Sequence, residues 1–347
     1  MTERRAYLDV GIGETRGVVT LDWRPERLLV ARDGDVAAQA LGAEVVARVR
    51  RLERQLGLAF VALGEGADGV LNLKPEMGRL TEGQAVAVEI RAEGRAGKGA
   101  SLRLIGEAEG PPRLLAPAPD IASELASLAP RHPIVTGAAA RAACDAAEAE
   151  ALETVFVLPG GGTIAIERTR ALVAVDVDVG DRPGAEAKRA ARAANLAALA
   201  TAARVLRLKG EGGLVVVDLA GRGHDGPALI TAARAAFAPD NPGVALGPIS
   251  RFGTLELTVP RRRRSLAERL LDVSGAPTAL TLALRLVRAV ERESAAAPGA
   301  RIAAAAAADV MEAASPYLQA LTDRFGARIA FRAEEGRPRE GFEVSAR

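Results

Sequence analysis

The sequence predicts a mixed chain with a β-rich N-terminal part, a central α/β domain and a small α+β tail. Three observations predict this fold class. Short strand-like segments separated by glycine turns fill the region from residue 45 to residue 105. From residue 163 onward, apolar strand-like segments alternate with helix-like ones, as in α/β domains. The 347 residues, 49% of them apolar, are enough for two or three compact domains.

The N-terminal third predicts two groups of strands. Residues 6–31 contain three short strands around turns, and residues 45–105 contain five more. Five strands within about 60 residues fit a small closed barrel of the OB type, although another small barrel or a stack of hairpins would show the same pattern. The prolines between residues 107 and 133 predict a linker, and the alanine-rich segment 137–154 predicts a helix.

The α/β domain starts with two alternating strands over residues 163–180, which meet at a tight turn between Arg168 and Arg170. A long helix over 184–208, an apolar strand over 212–221 and a helix over 226–237 follow. The segments ALGPI and TLELTV predict two more strands, and residues 261–272 predict a helix. In the tail, helices are expected over 278–294 and 309–325, and a strand is expected at ARIAFRA.

Composition narrows the class of protein. The chain has no run of 18 or more apolar residues and starts with a charged segment, so neither a membrane span nor a signal peptide is expected. Cys144 is the only cysteine, which excludes an internal disulfide and a four-cysteine zinc site. A reducing cytoplasm is the expected compartment.

Charge is distributed unevenly along the chain. Between residues 181 and 264 there are 14 Lys and Arg against 7 Asp and Glu, a net charge of +7, whereas the whole chain carries only +2. A basic block in a near-neutral chain suggests a polyanionic partner. An arginine-rich solvated face is the alternative.

Two aspartates follow apolar strands. Asp176 comes after the run LVAV, and Asp218 comes after LVVV. Each carboxylate is expected where a buried strand emerges into a loop, the usual place of a ligand site in an α/β sheet. Two such carboxylates can share one Mg²⁺, which keeps several waters and offsets charge on a substrate phosphate. Alternatively, each aspartate caps a helix or forms a turn.

Further residues extend the metal-site hypothesis. Asp178 lies two residues after Asp176, hence on the same strand face, and is a candidate third ligand. Arg251 is a candidate for binding the scissile phosphate, with a surface salt bridge as the alternative. The arginine run that begins with Arg261 and Arg262 is a candidate for following an RNA backbone, or a solvated helix start.

The predicted barrel offers two candidate RNA contacts. Phe60 either stacks on a base or packs in the core. Lys98 could meet a phosphate, and it stands out because the chain has only 4 Lys among its 46 basic residues.

Other chemistries fit the sequence poorly. The glycines at 160–162 lack the following Lys-Ser/Thr of a phosphate loop and precede a strand. His132 and His224 stand in loop segments without metal-ligand spacing, and the sequence contains no G-x-S-x-G elbow for a serine hydrolase. Cys144, in an alanine-rich helix, fits a packed small residue better than a nucleophile.

Taken together, these segments resemble the catalytic half of the ribonuclease E/G family. The similar segments are LPGGGTIAIERTRALVAVDVDVG, ANLAALATAARVLRLKGEGGLVVVDLAG, PISRFGTLELT and, for the family's RNA-binding barrel, VVARVRRLERQLGLAFVALGEGADGVLNL with KGASLRL. The similarity extends, with one large gap, from about Gly42 to Phe342. It implies an OB-type barrel inserted in an RNase H-like subdomain, followed by a DNase I-like nuclease domain and a small α+β C-terminal domain.

The resemblance also implies domain boundaries. Residues 1–41 would begin the RNase H-like subdomain, and residues 42–106 would form the barrel. Residues 107–154 would be a linker and a helix that return to the first subdomain. Residues 155–274 would form the nuclease domain, and residues 275–347 the C-terminal domain.

Roles of individual residues follow from the resemblance by position. Asp176 and Asp218 match the family's two metal-binding aspartates, and Asp178 matches an asparagine that supports the first. The remaining matches are Arg251 with the arginine of the family's SRFG motif, Phe60 with an RNA-stacking aromatic and Lys98 with a basic residue of the barrel. The family cleaves single-stranded RNA internally and leaves a 5′-phosphate.

The chain departs from the family pattern in several places. Where the zinc-linking C-P-x-C motif should fall, near 272–277, it reads DVSGAP, so neither zinc nor a zinc-linked dimer is expected. The segment between the barrel and LPGGG is too short for the family's 5′-sensor domain. Val70 stands in place of the second barrel aromatic, and Gly221 replaces an acidic residue.

The leading hypothesis is a cytoplasmic endoribonuclease of RNA processing or decay, ribosomal RNA included. It would cleave single-stranded RNA with Mg²⁺, or with Mn²⁺ in its place. A homodimer that zinc does not link stays open. The alternative is a catalytically weak or inactive RNA-binding protein of the same descent, and a third hypothesis is a metal-dependent phosphatase or deoxyribonuclease.

Overall fold

The structure, a computed structural model, describes residues 3–75, 79–95, 97–180 and 184–347, with the backbone alone for 184–186. The basic block predicted from the sequence begins at residue 181, so its first three residues lie outside the described part. Four sheets and seven α-helices make up the described chain, and their order follows the predicted mixture of β-rich, α/β and α+β parts.

The chain begins with an antiparallel sheet of three strands in sequence order. They are β1 (Arg4–Val10), β2 (Glu14–Leu21) and β3 (Arg24–Arg32). Neighbouring apolar residues of β2 and β3, such as Val18 and Val19, project to opposite faces, and a later helix packs on each face. This sheet therefore connects regions that lie far apart in the sequence.

A closed barrel follows, as the sequence predicts. Its strands are β4 (Glu44–Glu53), β5 (Leu58–Ala62), β6 (Gly69–Asn72), β7 (Ala85–Ala92) and β8 (Ser101–Glu107). They run in the order β5-β6-β8-β7-β4, and the pairing of β4 with β5 closes the ring. Gly99 is required there because a Cβ would come within 1.9 Å of the carbonyl oxygen of Asp68.

The prediction that residues 107–133 form only a linker is wrong. This segment contains β9 (Arg113–Ala116), which pairs with β4, and helix α1 (Ile121–Leu128). The side chain of Asp120 accepts a hydrogen bond from the Ser123 amide at 2.8 Å, which begins α1 as an N-cap despite the flanking prolines. Ile121 and Leu125 pack on one face of the N-terminal sheet, and this packing stabilises so short a helix.

Helix α2 (Ala138–Leu152) lies where the sequence predicts a helix, and it packs on the opposite face of the N-terminal sheet. Its buried apolar positions, including Cys144, Ala147 and Ala151, are small residues that allow close approach to the strands. Burial raises the pKa of the Cys144 thiol to about 12, so the thiol stays protonated at neutral pH and acts as a packed apolar group.

The central domain is a six-stranded mixed sheet. Its strands are β10 (Val155–Val157), β11 (Thr163–Arg168), β12 (Val173–Asp178), β13 (Gly213–Asp218), β14 (Ala245–Ile249) and β15 (Thr254–Val259), in the order β10-β11-β12-β13-β15-β14. Strands β12 and β13 are parallel, and helix α3 (Gly184–Lys209) connects them. Gly210, with φ of 65°, ends α3 in the left-handed conformation typical of helix C-termini.

Helices α3 and α4 (Gly226–Phe237) cover one face of this sheet. On β12 and β13, valines at alternate positions are buried against these helices, and the residues between them face away. The sheet therefore has one covered face and one open face.

Helix α5 is shorter than predicted. The sequence predicts a helix over 261–272, whereas α5 is Leu266–Leu270. Ser265 and Glu268 form a capping box, in which each side chain accepts a hydrogen bond from the other residue's amide, and this fixes the start of the helix at Leu266. The arginines before Ser265 consequently lie in an irregular segment.

The tail forms a small α+β unit. Helices α6 (Ala279–Ala296) and α7 (Ala308–Phe325) pack on a sheet of β16 (Ile302–Ala307), β17 (Ile329–Glu334) and β18 (Glu343–Ala346), in the order β17-β16-β18. Strands β16 and β18 were not predicted. In the run IAAAAA of β16, apolar and polar residues do not alternate. Five of its six residues are buried, so both faces of this strand are covered.

A buried ion-pair network joins this tail to the N-terminal sheet. Glu148 of α2 pairs with Arg16 of β2 at 3.2 Å and with Arg285 of α6 at 2.8 Å. Arg288 of α6 pairs with the same carboxylate and with Glu14. Burial alone would raise the pKa of Glu148, but the charges of the three arginines hold it below its usual range.

Candidate active site

The two predicted metal-binding aspartates are neighbours in the central sheet. Asp176 of β12 and Asp218 of β13 are register partners in the parallel pairing of these strands. Adjacent strands lie about 4.8 Å apart, and register partners project to the same side. Both side chains are exposed. The structure thus places two carboxylates side by side on the open face, near the C-terminal ends of two parallel strands.

Asp176 does not stand at the end of its strand. The sequence predicts that the strand ends there, whereas β12 continues to Asp178. Asp176 faces the open side because side chains alternate along the strand, with Val175 and Val177 buried against the helices. The alternation, rather than emergence into a loop, exposes this carboxylate.

Asp178 lies on the same face, two residues farther along β12, or about 7 Å. Its carboxylate accepts a hydrogen bond from the Gly180 amide at 2.7 Å. Within the described ranges, no group of three or more His, Cys, Asp or Glu side chains is arranged to hold a metal ion. The carboxylate pair is therefore the arrangement on which a metal site could be built, with Asp178 beside it.

A buried asparagine holds the loop that follows Asp218. The side-chain amide of Asn195, on α3, donates to the carbonyl oxygen of Ala220 at 3.0 Å and accepts from the Ala220 amide at 2.9 Å. Asn195 is 1% exposed. Sequence reasoning did not select this residue, although it stands in the segment ANLAAL that contributes to the family resemblance.

Arg251 lies on the loop between β14 and β15, at the edge of the sheet where the strand of Asp218 ends. Thr254, the first residue of β15, is the register partner of Asp218. Arg251 is therefore three residues from the row formed by Asp176, Asp218 and Thr254, and its side chain is exposed. This places the candidate phosphate-binding arginine at the same edge of the sheet as the carboxylate pair.

Hydrogen bonds from Ser250 hold this loop in shape. Its hydroxyl is 2.8 Å from the Thr254 hydroxyl and accepts from the backbone amides of Phe252 and Thr254. The Gly253 amide donates to the Ser250 carbonyl oxygen at 3.0 Å, and the Gly253 carbonyl oxygen accepts from the Leu219 amide at 3.2 Å. The loop is thereby tied to the backbone residue that follows Asp218.

His224, in the loop after β13, packs against the same segment. Its Nε2 is buried, and a Cβ on Gly253 would approach it to 3.2 Å. Gly253 has φ of 90°, so a larger residue would be strained there as well as crowded. His224 thus fits a packing role beside the loop, in agreement with the absence of ligand spacing in the sequence.

Exposed cations surround this edge of the sheet. Lys188 and Arg189 lie near the start of α3, and Arg222 lies on the loop after β13. With Arg251 they place positive charge at the edge of the sheet where β12 and β13 end, and this charge can attract a polyanion. Sequence reasoning recognised the basic block but did not single out these three residues.

Arg261 and Arg262 lie at the opposite end of the sheet. Strand β15 runs from Thr254, beside Asp218, to Val259, beside Gly213, a length of about 17 Å. Arg261 donates to Glu268 at 2.7 Å, and the exposed Arg262 donates to the Pro242 carbonyl oxygen at 3.1 Å. The structure therefore does not bring these arginines together with the carboxylate pair.

The barrel packs against that opposite end. The Glu93 amide donates to the Arg262 carbonyl oxygen at 2.7 Å, and the Glu93 carboxylate accepts from the Arg264 amide at 2.9 Å. Burial and the nearby charge of Arg261 lower the pKa of Arg95, on the same barrel loop. The barrel and the central sheet are thus joined through the segment after β15.

Phe60 and Lys98 lie on the barrel surface. Phe60 alternates with the buried Ala59 and Val61, so it points out of the barrel and is only half-buried. The guanidinium of Arg51 lies 4.5 Å from the centre of its ring. Lys98 is exposed in a tight hairpin opposite Arg95. Core packing, the alternative for Phe60, does not describe its position.

Residues 121–264 match the model of the ribonuclease E/G family, so this segment of the chain is similar to that family. The segment contains the whole six-stranded sheet with Asp176, Asp218 and Arg251. It excludes the barrel, so the roles expected for Phe60 and Lys98 stay predictions.

Several curated proteins that are similar to this chain are named ribonuclease E or ribonuclease E/G-like protein. Ribonuclease E of Escherichia coli (strain K12) is 34% identical over 147 residues, which are 40% of this chain and 14% of that protein. Ribonuclease E of Haemophilus influenzae is 37% identical over 114 residues, 32% of this chain and 12% of that protein. The chloroplastic ribonuclease E/G-like protein of Arabidopsis thaliana is 33% identical over 114 residues, 31% and 11% respectively. The matched part thus spans about one seventh or less of each relative.

The described residues also bear on the membrane prediction. None of their helices combines the length and the apolar character that crossing a bilayer requires.

Proposed function

We propose that the protein is an endoribonuclease that cleaves single-stranded RNA with the help of a divalent metal ion, Mg²⁺ or alternatively Mn²⁺. The observation that carries the proposal is the register pairing of Asp176 with Asp218 on the open face of the sheet. Similarity to proteins named ribonuclease E supports RNA as the substrate class. Processing and decay of RNA in the cytoplasm is the setting we propose.

The donor set fits a hard cation. Asp176 and Asp218 offer carboxylate oxygens on neighbouring strands, and Mg²⁺ is usually held by one or two carboxylates, with waters and substrate phosphates completing its shell. When bound there, the ion would supply an activated water and would offset charge on the phosphate. Asp178 adds negative charge on the same face, and we propose that it supports the pair.

The chain's own residues would bind and orient the RNA. Arg251 would form two parallel hydrogen bonds with the scissile phosphate, which a guanidinium does better than an ammonium group. Lys188, Arg189 and Arg222 would attract neighbouring phosphates. Asn195 holds the loop after Asp218, so that the carboxylate stays in its row.

Barrel residues would contact RNA away from the reaction centre. Phe60 is half-exposed for stacking on a base, and Lys98 is exposed for a phosphate. Arg262 is exposed at the opposite end of the sheet and could contact the backbone there. Arg261 is engaged with Glu268, and we assign it a structural role rather than an RNA contact.

The finer domain assignment belongs to the same proposal. We assign residues 1–41 and 107–154 to an RNase H-like subdomain with the barrel, residues 42–106, inserted in it. Packing of α1 and α2 on the N-terminal sheet supports this assignment. Residues 155–274 would be the nuclease domain with a DNase I-like fold, and residues 275–347 the C-terminal domain.

The test compares Asp218→Asn with the parent protein on a 5′-labelled, AU-rich single-stranded RNA. Cleavage by the variant should fall at least about 100-fold, as when a key electrostatic group is removed, while the thermal midpoint stays unchanged. Glu167→Gln is the control, because this exposed acid lies on the same face of β11 but outside the row. Equal cleavage in EDTA and in Mg²⁺ would refute the proposal. RNA binding without cleavage by the parent would indicate the inactive RNA-binding protein instead.

A further inference from the structure

The tip of the β14–β15 loop exposes a large aromatic ring beside the carboxylate row. Phe252 is 76% exposed. It is two residues from Thr254, so its Cα lies within about 7 Å of a residue that is itself the register partner of Asp218. Single exposed apolar side chains are common on protein surfaces, so exposure alone does not indicate a binding site. The surroundings of this ring carry the argument.

The backbone under the ring is fixed before any ligand binds. The Phe252 amide donates to the Ser250 hydroxyl at 3.2 Å, and the same hydroxyl bonds the Thr254 side chain. Gly253 closes the turn through the Ser250 carbonyl oxygen and joins it to Leu219, the residue that follows the neighbouring strand β13. A ring held in this way loses little conformational freedom when something stacks on it.

The charge around the ring selects the ligand. The Arg251 guanidinium lies 4.7 Å from the centre of the Phe252 ring, and this leaves positive charge next to an apolar face. Lys188, Arg189 and Arg222 add exposed cations at the same edge of the sheet. An apolar protein surface that covered the ring would also have to cover these charges. A nucleotide, in contrast, offers both a flat π-face for the ring and a phosphate for the cations.

We propose that Phe252 forms a nucleobase subsite, in which an unpaired base next to the scissile phosphate stacks on the ring while Arg251 binds the phosphate. A base inside a duplex cannot present its face to the ring, so the subsite would favour single-stranded RNA at the point of cleavage. The inference rests on the proposed function in that its ligand is RNA.

The experiment measures binding in EDTA, where no cleavage is expected, with single-stranded oligoribonucleotides that carry 2-aminopurine at successive positions. Stacking on Phe252 should quench the fluorescence at one position or at two adjacent ones. Phe252→Ala should bind about 5- to 100-fold more weakly and lose that quenching, whereas Phe252→Tyr should restore both. An abasic nucleotide at the quenched position should weaken binding to the parent and make no difference to Phe252→Ala.

Trp23→Ala is the matched control. Trp23 is also an exposed aromatic residue, with 65% of its surface accessible. The guanidinium of Arg5 lies 4.1 Å from the centre of its ring. Trp23 differs in its location, because it lies in the β2–β3 turn of the N-terminal sheet. Its replacement should leave the quenching unchanged. Because Phe252 is exposed, its replacement should also leave the thermal midpoint unchanged, and the abasic RNA tests the parent protein without any substitution.

Three outcomes would overturn the subsite. The first is parent-like RNA binding by Phe252→Ala. The second is a loss of affinity in Phe252→Ala that is the same for every labelled RNA, the abasic RNA included. The third is a mass in sedimentation that falls in Phe252→Ala and in no other variant. The last would mean that Phe252 covers a contact between copies of the chain. Localised quenching in a protein that fails to cleave with Mg²⁺ would refute the proposed function and leave the subsite standing, whereas cleavage without quenching would refute the subsite alone.

Discussion

The side-chain amide of Asn195 makes two hydrogen bonds with the backbone of Ala220, one in each direction. Helix α3 thereby holds the strand-to-loop junction that presents Asp218. The partner groups on Ala220 cannot both find replacements if the amide is removed, because Asn195 is almost fully buried.

Replacing Asn195 should therefore affect both stability and activity. Asn195→Ala is expected to lower the free energy of unfolding by about 1–3 kcal/mol, the cost of leaving buried polar groups without partners. RNA cleavage at a temperature where the variant is folded should also fall, since the Asp218 junction is no longer fixed. Urea unfolding and cleavage rates measure the two effects. The control is Gln319→Ala, an exposed amide on α7; a loss no greater than that of the control would contradict the role.

Arg251 should be sensitive to the shape of its side chain as well as its charge. We expect Arg251→Ala to lower kcat/KM about 100-fold, and Arg251→Lys to recover only part of this loss, because an ammonium group cannot make the two parallel bonds of a guanidinium. Steady-state cleavage of a single-stranded RNA measures both. Arg234→Ala removes an exposed arginine of α4, a helix that packs on the covered face, and should be silent. If Arg251→Ala and Arg234→Ala lower kcat/KM to a similar extent, Arg251 contributes only through the general positive charge of the protein.

Asp178 should tune the metal requirement rather than decide activity. In Asp178→Asn the side-chain oxygen can still accept the Gly180 amide, so the end of β12 should keep its shape. Removing one negative charge beside the pair should raise the Mg²⁺ concentration for half-maximal cleavage several-fold, on the order of 10-fold at most, with cleavage at saturating Mg²⁺ nearly unchanged. Activation curves with Mg²⁺ measure this. If the variant is as inactive as Asp218→Asn, then Asp178 is a principal ligand.

Glu148 should make stability depend on acid pH. Its pKa is held below the usual range in the folded protein, so the stability it contributes is present above the pKa of the unfolded chain, about 4.5, and is lost as the pH falls through the lower folded value. At pH 7, Glu148→Gln should lower the free energy of unfolding by about 3–5 kcal/mol, because buried arginines lose their partner. Urea unfolding between pH 3 and 7 should also show a flatter pH dependence below about pH 4.5.

The control for Glu148 is Glu312→Gln, an exposed acid on α7. It should reproduce the parent's curve at every pH. A parent-like acid dependence in Glu148→Gln would mean that other carboxylates, such as Glu26, whose pKa is also lowered, account for acid unfolding.

Lys98 should contribute to RNA binding through charge alone. Lys98→Ala is expected to weaken binding of single-stranded RNA to a similar extent for different sequences, and to reduce the slope of log affinity against log salt by about 1. The test measures RNA affinity at salt concentrations between about 50 and 300 mM, where log affinity should fall linearly with log salt. Arg292→Ala, an exposed site on α6, should leave the slope unaltered. An unchanged slope in Lys98→Ala would remove the barrel hairpin from the RNA path.

Much of the local structure could be predicted because it depends on local patterns. Short strand-like segments between glycine turns predicted the barrel strands, and α3, with its long alanine-rich run, lies within one residue of its predicted bounds. The errors lie where capping or burial outweighs composition. Asp120 starts a helix among prolines, and Ser265 with Glu268 moves the start of α5 past the arginine run. Strand β16 escaped prediction because its alanines carry no alternation.

The candidate site, like the fold, could be predicted only in part from the sequence. The sequence by itself determined that Asp176 and Asp218 each come directly after an apolar run, and from this it predicted an exposed carboxylate at the end of each strand. Only the tertiary structure decided that they are register partners, that Asn195 holds the junction after Asp218 and that Ser250 shapes the Arg251 loop. Register between parallel strands depends on how the intervening helix packs on the sheet, a long-range balance of contacts to which no local pattern in the chain corresponds.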